Sequence, residues 1–166
     1  VRFRSPALAK ITAQFCGYLF YPTTRNLTDV KIKALGVFAL GPTTPGILVP
    51  GRGKMGIMPA SLFAPGRVGI ISRSGTLAYE FAGILSQSRI GQSTVVGLGA
   101  DPVILRNLPD ILELFEEDEG TDGIIIVGEV GGEQEEKAAG FISRRITKPV
   151  ASYIAGRRSP QGKRMG

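Results

Sequence analysis

The stretch Gly66-Arg67-Val68-Gly69-Ile70-Ile71-Ser72-Arg73-Ser74-Gly75-Thr76-Leu77-Ala78-Tyr79-Glu80 decides the fold. Val68 to Ile71 is a short apolar run of strand type, entered through Pro65-Gly66. Ser72 to Thr76 is small and polar, and Leu77, Phe81, Ile84 and Leu85 then recur at helical spacing. The stretch therefore reads as buried strand, tight loop and first helical turn. Ser74 sits where a side-chain oxygen can satisfy a helix N–H that has no intrahelical acceptor. Such a turn places free N–H groups and the positive end of a helix dipole at the carboxyl end of a strand, which suits an anion such as phosphate. An ordinary capped turn explains the same residues. The string is neither a Walker loop nor a GxGxxG fingerprint.

Beyond this unit the pattern repeats. Strand Thr94–Leu98 precedes a loop and helix Leu108–Glu116. Strand Gly123–Val127 precedes helix Glu133–Ile146, and strand Val150–Ile154 precedes a basic loop. Strands alternating with helices imply right-handed crossovers and a mostly parallel α/β sheet, with ligands outside the carboxyl ends of the strands. Four loops lie there: 72–76, 97–102, 128–132 and 155–166. In the third, Glu129 is the carboxylate at the exit of the most apolar strand, Ile124-Ile125-Ile126-Val127. It can orient an imidazole or hold a cation. It can equally cap a helix or pair with Arg73. Gly131-Gly132 permits a sharp turn. Asp101-Pro102 reads as a turn or helix starter. The segment 156–164 is a near miss to a Walker loop, because its spacing before Gly162-Lys163 is one residue too long and Arg164 replaces Ser/Thr. It is an anion-facing or a solvated basic loop.

Upstream, Val37–Leu40 reads as a strand closed by the turn Gly41-Pro42-Thr43-Thr44-Pro45-Gly46, and Ile47 to Met58 as a β excursion or extended linker. Residues 1–28 carry Arg2, Arg4, Lys10 and Arg25 and no acid, as in some organelle transit peptides or the tail of an upstream domain. The segments 113–119 and 133–136 read as solvated acidic helix faces.

Composition narrows the chemistry. The 166 residues are 43% hydrophobic, enough for a packed core. No apolar run approaches the roughly 20 residues that span a bilayer. Cys16 is the lone cysteine, so a disulfide framework is excluded within the chain. With no histidine either, Ser-His-Asp, Cys-His and His-metal sites are excluded within it too, and no metal site is expected. The net charge is +6, but the basic residues are spread out and not interleaved with aromatics, which speaks against nucleic acid.

Several long motifs occur together, in order and at compatible spacing: 66–80, Gly91-Gln92-Ser93-Thr94 with 97–102, Gly128-Glu129-Val130-Gly131-Gly132, Lys148-Pro149-Val150, Tyr153-Ile154-Ala155-Gly156 and Gly162-Lys163-Arg164-Met165-Gly166. From about Val30 onward the chain resembles the succinyl-CoA synthetase (succinate–CoA ligase) alpha-subunit family. Residues 1–29 do not match visibly. The resemblance implies a flavodoxin-like domain at 67–166, a mostly parallel sheet with helices on both faces, preceded by an entry segment at 41–66 and an upstream remnant or leader at 1–40. It implies an acid–CoA ligase of the tricarboxylic acid cycle, forming ADP or GDP through a phosphohistidine. CoA, and ATP or GTP with Mg, serve as cofactors, the nucleotide and Mg on a beta subunit that completes a heterodimer or heterotetramer. The small-molecule substrates are succinate, CoA and phosphate, with no nucleic acid or membrane partner, in the mitochondrial matrix or the cytoplasm.

In the family the catalytic histidine directly follows the Gly-Lys-Arg-Met-Gly string, and this sequence stops at Gly166, so a piece of a longer subunit, inactive alone, is expected. By motif match, Ser74, Gly75 and Thr76 would receive the phosphohistidine, and Glu129 would hold its imidazole. Thr44 and Pro45 would lie near the CoA thiol, although Thr43 replaces the family's Asn in that turn and Ala60-Ser61-Leu62 replaces a Gly-His-Ile segment. Malate–CoA ligase and ATP-citrate lyase share these loops. A non-catalytic anion-binding or subunit-interaction domain is the alternative of another class.

Overall fold

The computed structural model describes residues 38–100, 104–156 and 158. Six strands form one sheet: β1 (Gly46–Val49), β2 (Gly53–Gly56), β3 (Pro65–Ser72), β4 (Gln92–Gly97), β5 (Gly123–Glu129) and β6 (Val150–Ala155). Three helices connect them: α1 (Gly75–Gln87), α2 (Leu108–Glu117) and α3 (Gln134–Arg145). The spatial order is β2-β1-β4-β3-β5-β6. β4, β3, β5 and β6 run parallel. In chain order these parallel strands stand second, first, third, fourth, which is the flavodoxin arrangement. Its crevice opens where the order reverses, between the carboxyl ends of β3 and β5.

The sheet separates two cores, because successive strand residues face opposite sides. Ile71, Val96, Ile124 and Ile126 pack on one side against Leu108, Ile111, Leu112 and Phe115 of α2 and Ala138 of α3. Ile70, Val95 and Val127 pack on the other against Ala78 and Ala82 of α1, with Met58 and Phe63. Helices thus cover both faces. The 108/111/112/115 spacing is the apolar stripe of an amphipathic helix. A capping box between Asn107 and Asp110 starts α2.

The structure settles some local expectations and corrects others. Residues 38–40 form no strand, and Val37 lies outside the described residues. Ala39 and Leu40 are buried as non-repetitive chain, and the ladder position beside β4 is filled by β1 instead. The stretch from Ile47 to Met58 is the β excursion of the two alternatives, an antiparallel hairpin, Gly46↔Gly56 to Val49↔Gly53, joined to the sheet through Ile47↔Val96 and Leu48↔Val95. Of the α1 stripe, Leu77, Phe81 and Leu85 pack against the core beside the fully buried Ala78 and Ala82, whereas Ile84 is 56% exposed. Small side chains let the helix lie close to the sheet. Within the acidic segment 113–119, Asp118 is buried, and Thr121 Oγ1 donates to its Oδ2 at 2.7 Å.

Candidate functional site

The site forms where β3 and β5 end. Their last rung pairs Ser72 with Val127, and Ser74 and Glu129 each follow it by two residues, at the same end of the sheet. After β3 the chain turns sharply. Ser72 is fully buried, its Oγ donating to the Ser74 carbonyl (2.5 Å) and accepting from the Ser74 N–H (3.1 Å). The Ser74 backbone is extended at φ −100°, and its Oγ accepts from the Leu77 N–H at 3.4 Å, the expected N-cap. The first α1 carbonyl bond runs from Ala78 N–H to Ser74 O. The Gly75 and Thr76 N–H groups lie in the turn where a helix has no acceptor of its own. That first turn carries no acidic residue.

Glu129 closes β5. Its Oε2 is the buried side-chain polar atom without a hydrogen-bond partner among the described residues. The pairing with Arg73 that the sequence left open goes elsewhere. The Arg73 side chain is 2% exposed, and its Nη1 lies 2.8 Å from Glu135 Oε1. The same nitrogen donates to the backbone carbonyls of Glu129 and Gly131, each at 3.1 Å. Glu135, an α3 first-turn acid, also accepts the Glu129 N–H at 3.0 Å. Gly131 and Gly132 take φ +102° and +85°, the sharp turn their sequence allows.

The turn 41–46 reaches the same edge. Thr44 Oγ1 donates to the Gly97 carbonyl (2.5 Å) and accepts from Gly46 N–H (2.9 Å). Pro45 packs on Gly97 so closely that a Cβ there would fall 2.3 Å from Pro45 Cγ, and it also contacts the Gly75 position. The structure thus brings Thr44, Pro45, Ser74, Gly75, Thr76 and Glu129 to one end of the sheet. Asp101, Pro102 and the basic segment 159–164, with Arg157, lie outside the described residues. Sequence reasoning missed the buried Ser72 hydroxyl and the Arg73–Glu135 pair. The available signal was an arginine set between two serines at the end of an apolar strand. Among the described residues no group of three or more His, Cys, Asp or Glu could hold a metal.

A family model described as CoA-ligase matches residues 71–166. The chain belongs to the CoA-ligase family. Over 132 residues it is 52% identical to the alpha subunit of an ADP-forming succinate–CoA ligase from Methanothermobacter thermautotrophicus, covering 80% of this chain and 45% of that one. Over 134 residues it is 46% identical to a malate–CoA ligase alpha subunit from Methylorubrum extorquens, covering 81% and 45%. The chain thus spans less than half the length of these curated relatives. Among solved structures it resembles the Methanosaeta concilii ATP citrate lyase in complex with citryl-CoA, with TM-score 0.76 and 26% identity over 87% of this chain and 25% of that one. The family assignment and the flavodoxin strand order agree. No described helix is long and apolar enough to cross a membrane.

Proposed function

We propose that this chain supplies the phosphoimidazole-receiving part of an alpha-type subunit of an acid–CoA ligase, with succinate as the acid. The observation that carries the reading is Glu129. A buried carboxylate oxygen lacking a described partner, at the sheet end where α1 starts without an acid, suits an N–H donor on a group whose other end is anionic. An unpartnered buried oxygen costs about 1–3 kcal/mol, so an imidazole N–H that satisfies it is favoured. The Gly75 and Thr76 N–H groups then receive phosphoryl oxygens, assisted by the helix dipole. Ser74 holds that turn in shape. The imidazole comes from outside the 166 residues, which contain no histidine.

The 52% identity to a succinate–CoA ligase alpha subunit favours succinate. The malate–CoA ligase alpha subunit at 46% supports malate as the second reading. A beta-type partner subunit, contributing ATP or GTP and Mg, belongs to the same proposal. CoA, when bound, supplies the thiol that displaces phosphate, and Thr44 and Pro45 are the residues offered for its neighbourhood.

Titrating the 15N-labelled chain with inorganic phosphate tests the anion half of the site. The Gly75 and Thr76 amide resonances are expected to shift saturably. A folded spectrum with no response at these two amides contradicts the reading.

A further inference from the structure

Beyond the last β3–β5 rung, Glu129 has no backbone neighbour on the β3 side, because the chain has turned away into α1. Its two backbone polar groups are satisfied by side chains instead. Arg73 Nη1 donates to the Glu129 carbonyl, and Glu135 Oε1 accepts the Glu129 N–H. The two side chains are themselves joined at 2.8 Å. The Arg73 backbone N–H donates to the Val127 carbonyl (2.9 Å), so this residue makes the final backbone bond to β5 and the first side-chain bond beyond it. The ion pair is thus a side-chain rung that extends the ladder over the last residue of β5.

We infer that Arg73 and Glu135 are positioning residues for the Glu129 carboxylate. Their effect has two parts. They fix the Glu129 backbone through both its N–H and its carbonyl, which sets where its side chain starts. Glu135 also occupies the guanidinium. A carboxylate held against Arg73 would have its oxygens satisfied; with Glu135 in that place, Glu129 Oε2 is left for another donor. Gly128 makes room for this arrangement. A Cβ at Gly128 would lie 2.7 Å from Glu135 Oε1 and 2.8 Å from Glu135 Cγ, too close for Glu135 to keep its position.

This inference rests on the reading of Glu129 as the imidazole acceptor, and one experiment separates the two. The 166-residue chain, labelled with 13C at glutamate side-chain carboxyls and assigned through Glu129→Gln, is titrated with imidazole. Imidazole is expected to perturb the Glu129 carboxyl resonance saturably. In Glu135→Gln, which keeps the shape and removes the charge, the apparent Kd is expected to rise about tenfold, the low end of what losing a hydrogen bond to a charged group costs. Arg73→Lys and Glu135→Asp, which keep the charge and lose reach, are expected to fall between. No response of Glu129 in the wild type sinks the imidazole reading itself. A wild-type response that all three variants reproduce overturns the positioning role alone. Where Glu135→Gln does not fold, the two charge-keeping variants decide: a weakened response supports the role and an unchanged one overturns it.

Discussion

Ser74 shows how one side chain serves stability and chemistry together. Its hydroxyl caps α1 at the place where an anion would approach. Ser74→Ala is expected to cost about 1 kcal/mol in urea unfolding, the usual loss for an N-cap. It should also weaken the phosphate response of the Gly75 and Thr76 amides. Gly97 acts through space rather than chemistry. Gly97→Ala would drive a methyl into Pro45, since a Cβ there lies 2.3 Å from Pro45 Cγ. Overpacking of this kind costs about 1–3 kcal/mol, measurable as a lower urea midpoint. The two loops of the candidate site were legible because their signals are local: a small polar string after an apolar strand, and a carboxylate after another. The Arg73–Glu135 pair was not legible. The two residues are 62 positions apart, and only the β3–β5 register and the placement of α3 bring them together.

At the scale of elements, α2 is the anchor of one core face and α1 the thinner cover of the other. Phe115 is fully buried between α2 and the sheet. Phe115→Ala is expected to cost about 3–5 kcal/mol and to lower the thermal midpoint accordingly. Ile84→Ala on the exposed side of α1 should stay within about 0.5 kcal/mol of the wild type. Finding the two effects equal would mean that Ile84 is buried together with Leu77, Phe81 and Leu85. The parallel elements were readable because each alternation of apolar run and helical spacing is complete within about 30 residues. α1 starts directly after Ser74, the residue whose side chain the sequence offers as its cap. The burial of Ala78 and Ala82 was hidden because alanine carries little hydrophobic signal, yet it allows the closest approach. The β1–β2 excursion was readable only as one of two alternatives because Gly53 and Gly56 dilute its alternation, and its antiparallel pairing with β4 was hidden because that is a tertiary choice.

At the scale of the whole molecule, the sheet has a chemical end and a structural end. The structural end carries the Arg67–Asp122 pair and a cluster around Glu116, which accepts from Thr147 Oγ1 and from the Thr147 and Lys148 N–H groups. Burial pushes the Glu116 carboxyl upward, but these hydrogen bonds outweigh it and hold it below its ordinary value of 4.5. The hydrogen bonds and charge of Arg67 likewise lower Asp122 below 3.8. A depressed carboxylate stabilises the fold above its unfolded value and loses that contribution as pH falls through the folded value. Glu116→Gln should therefore destabilise the chain at pH 7 in urea unfolding, and the gap to wild type should close as pH drops below about 4.5. The chemical end is where the account is most exposed. Its central claim is that the loops after β3 and β5 form one site for a phosphorylated imidazole. The most direct measurement is an NMR titration of the chain with N-phosphoimidazole, observing the Gly75 and Thr76 amides and the Glu129 carboxyl together. All three are expected to respond with a single shared Kd. A response at α1 without Glu129, at Glu129 without α1, or at neither would contradict it.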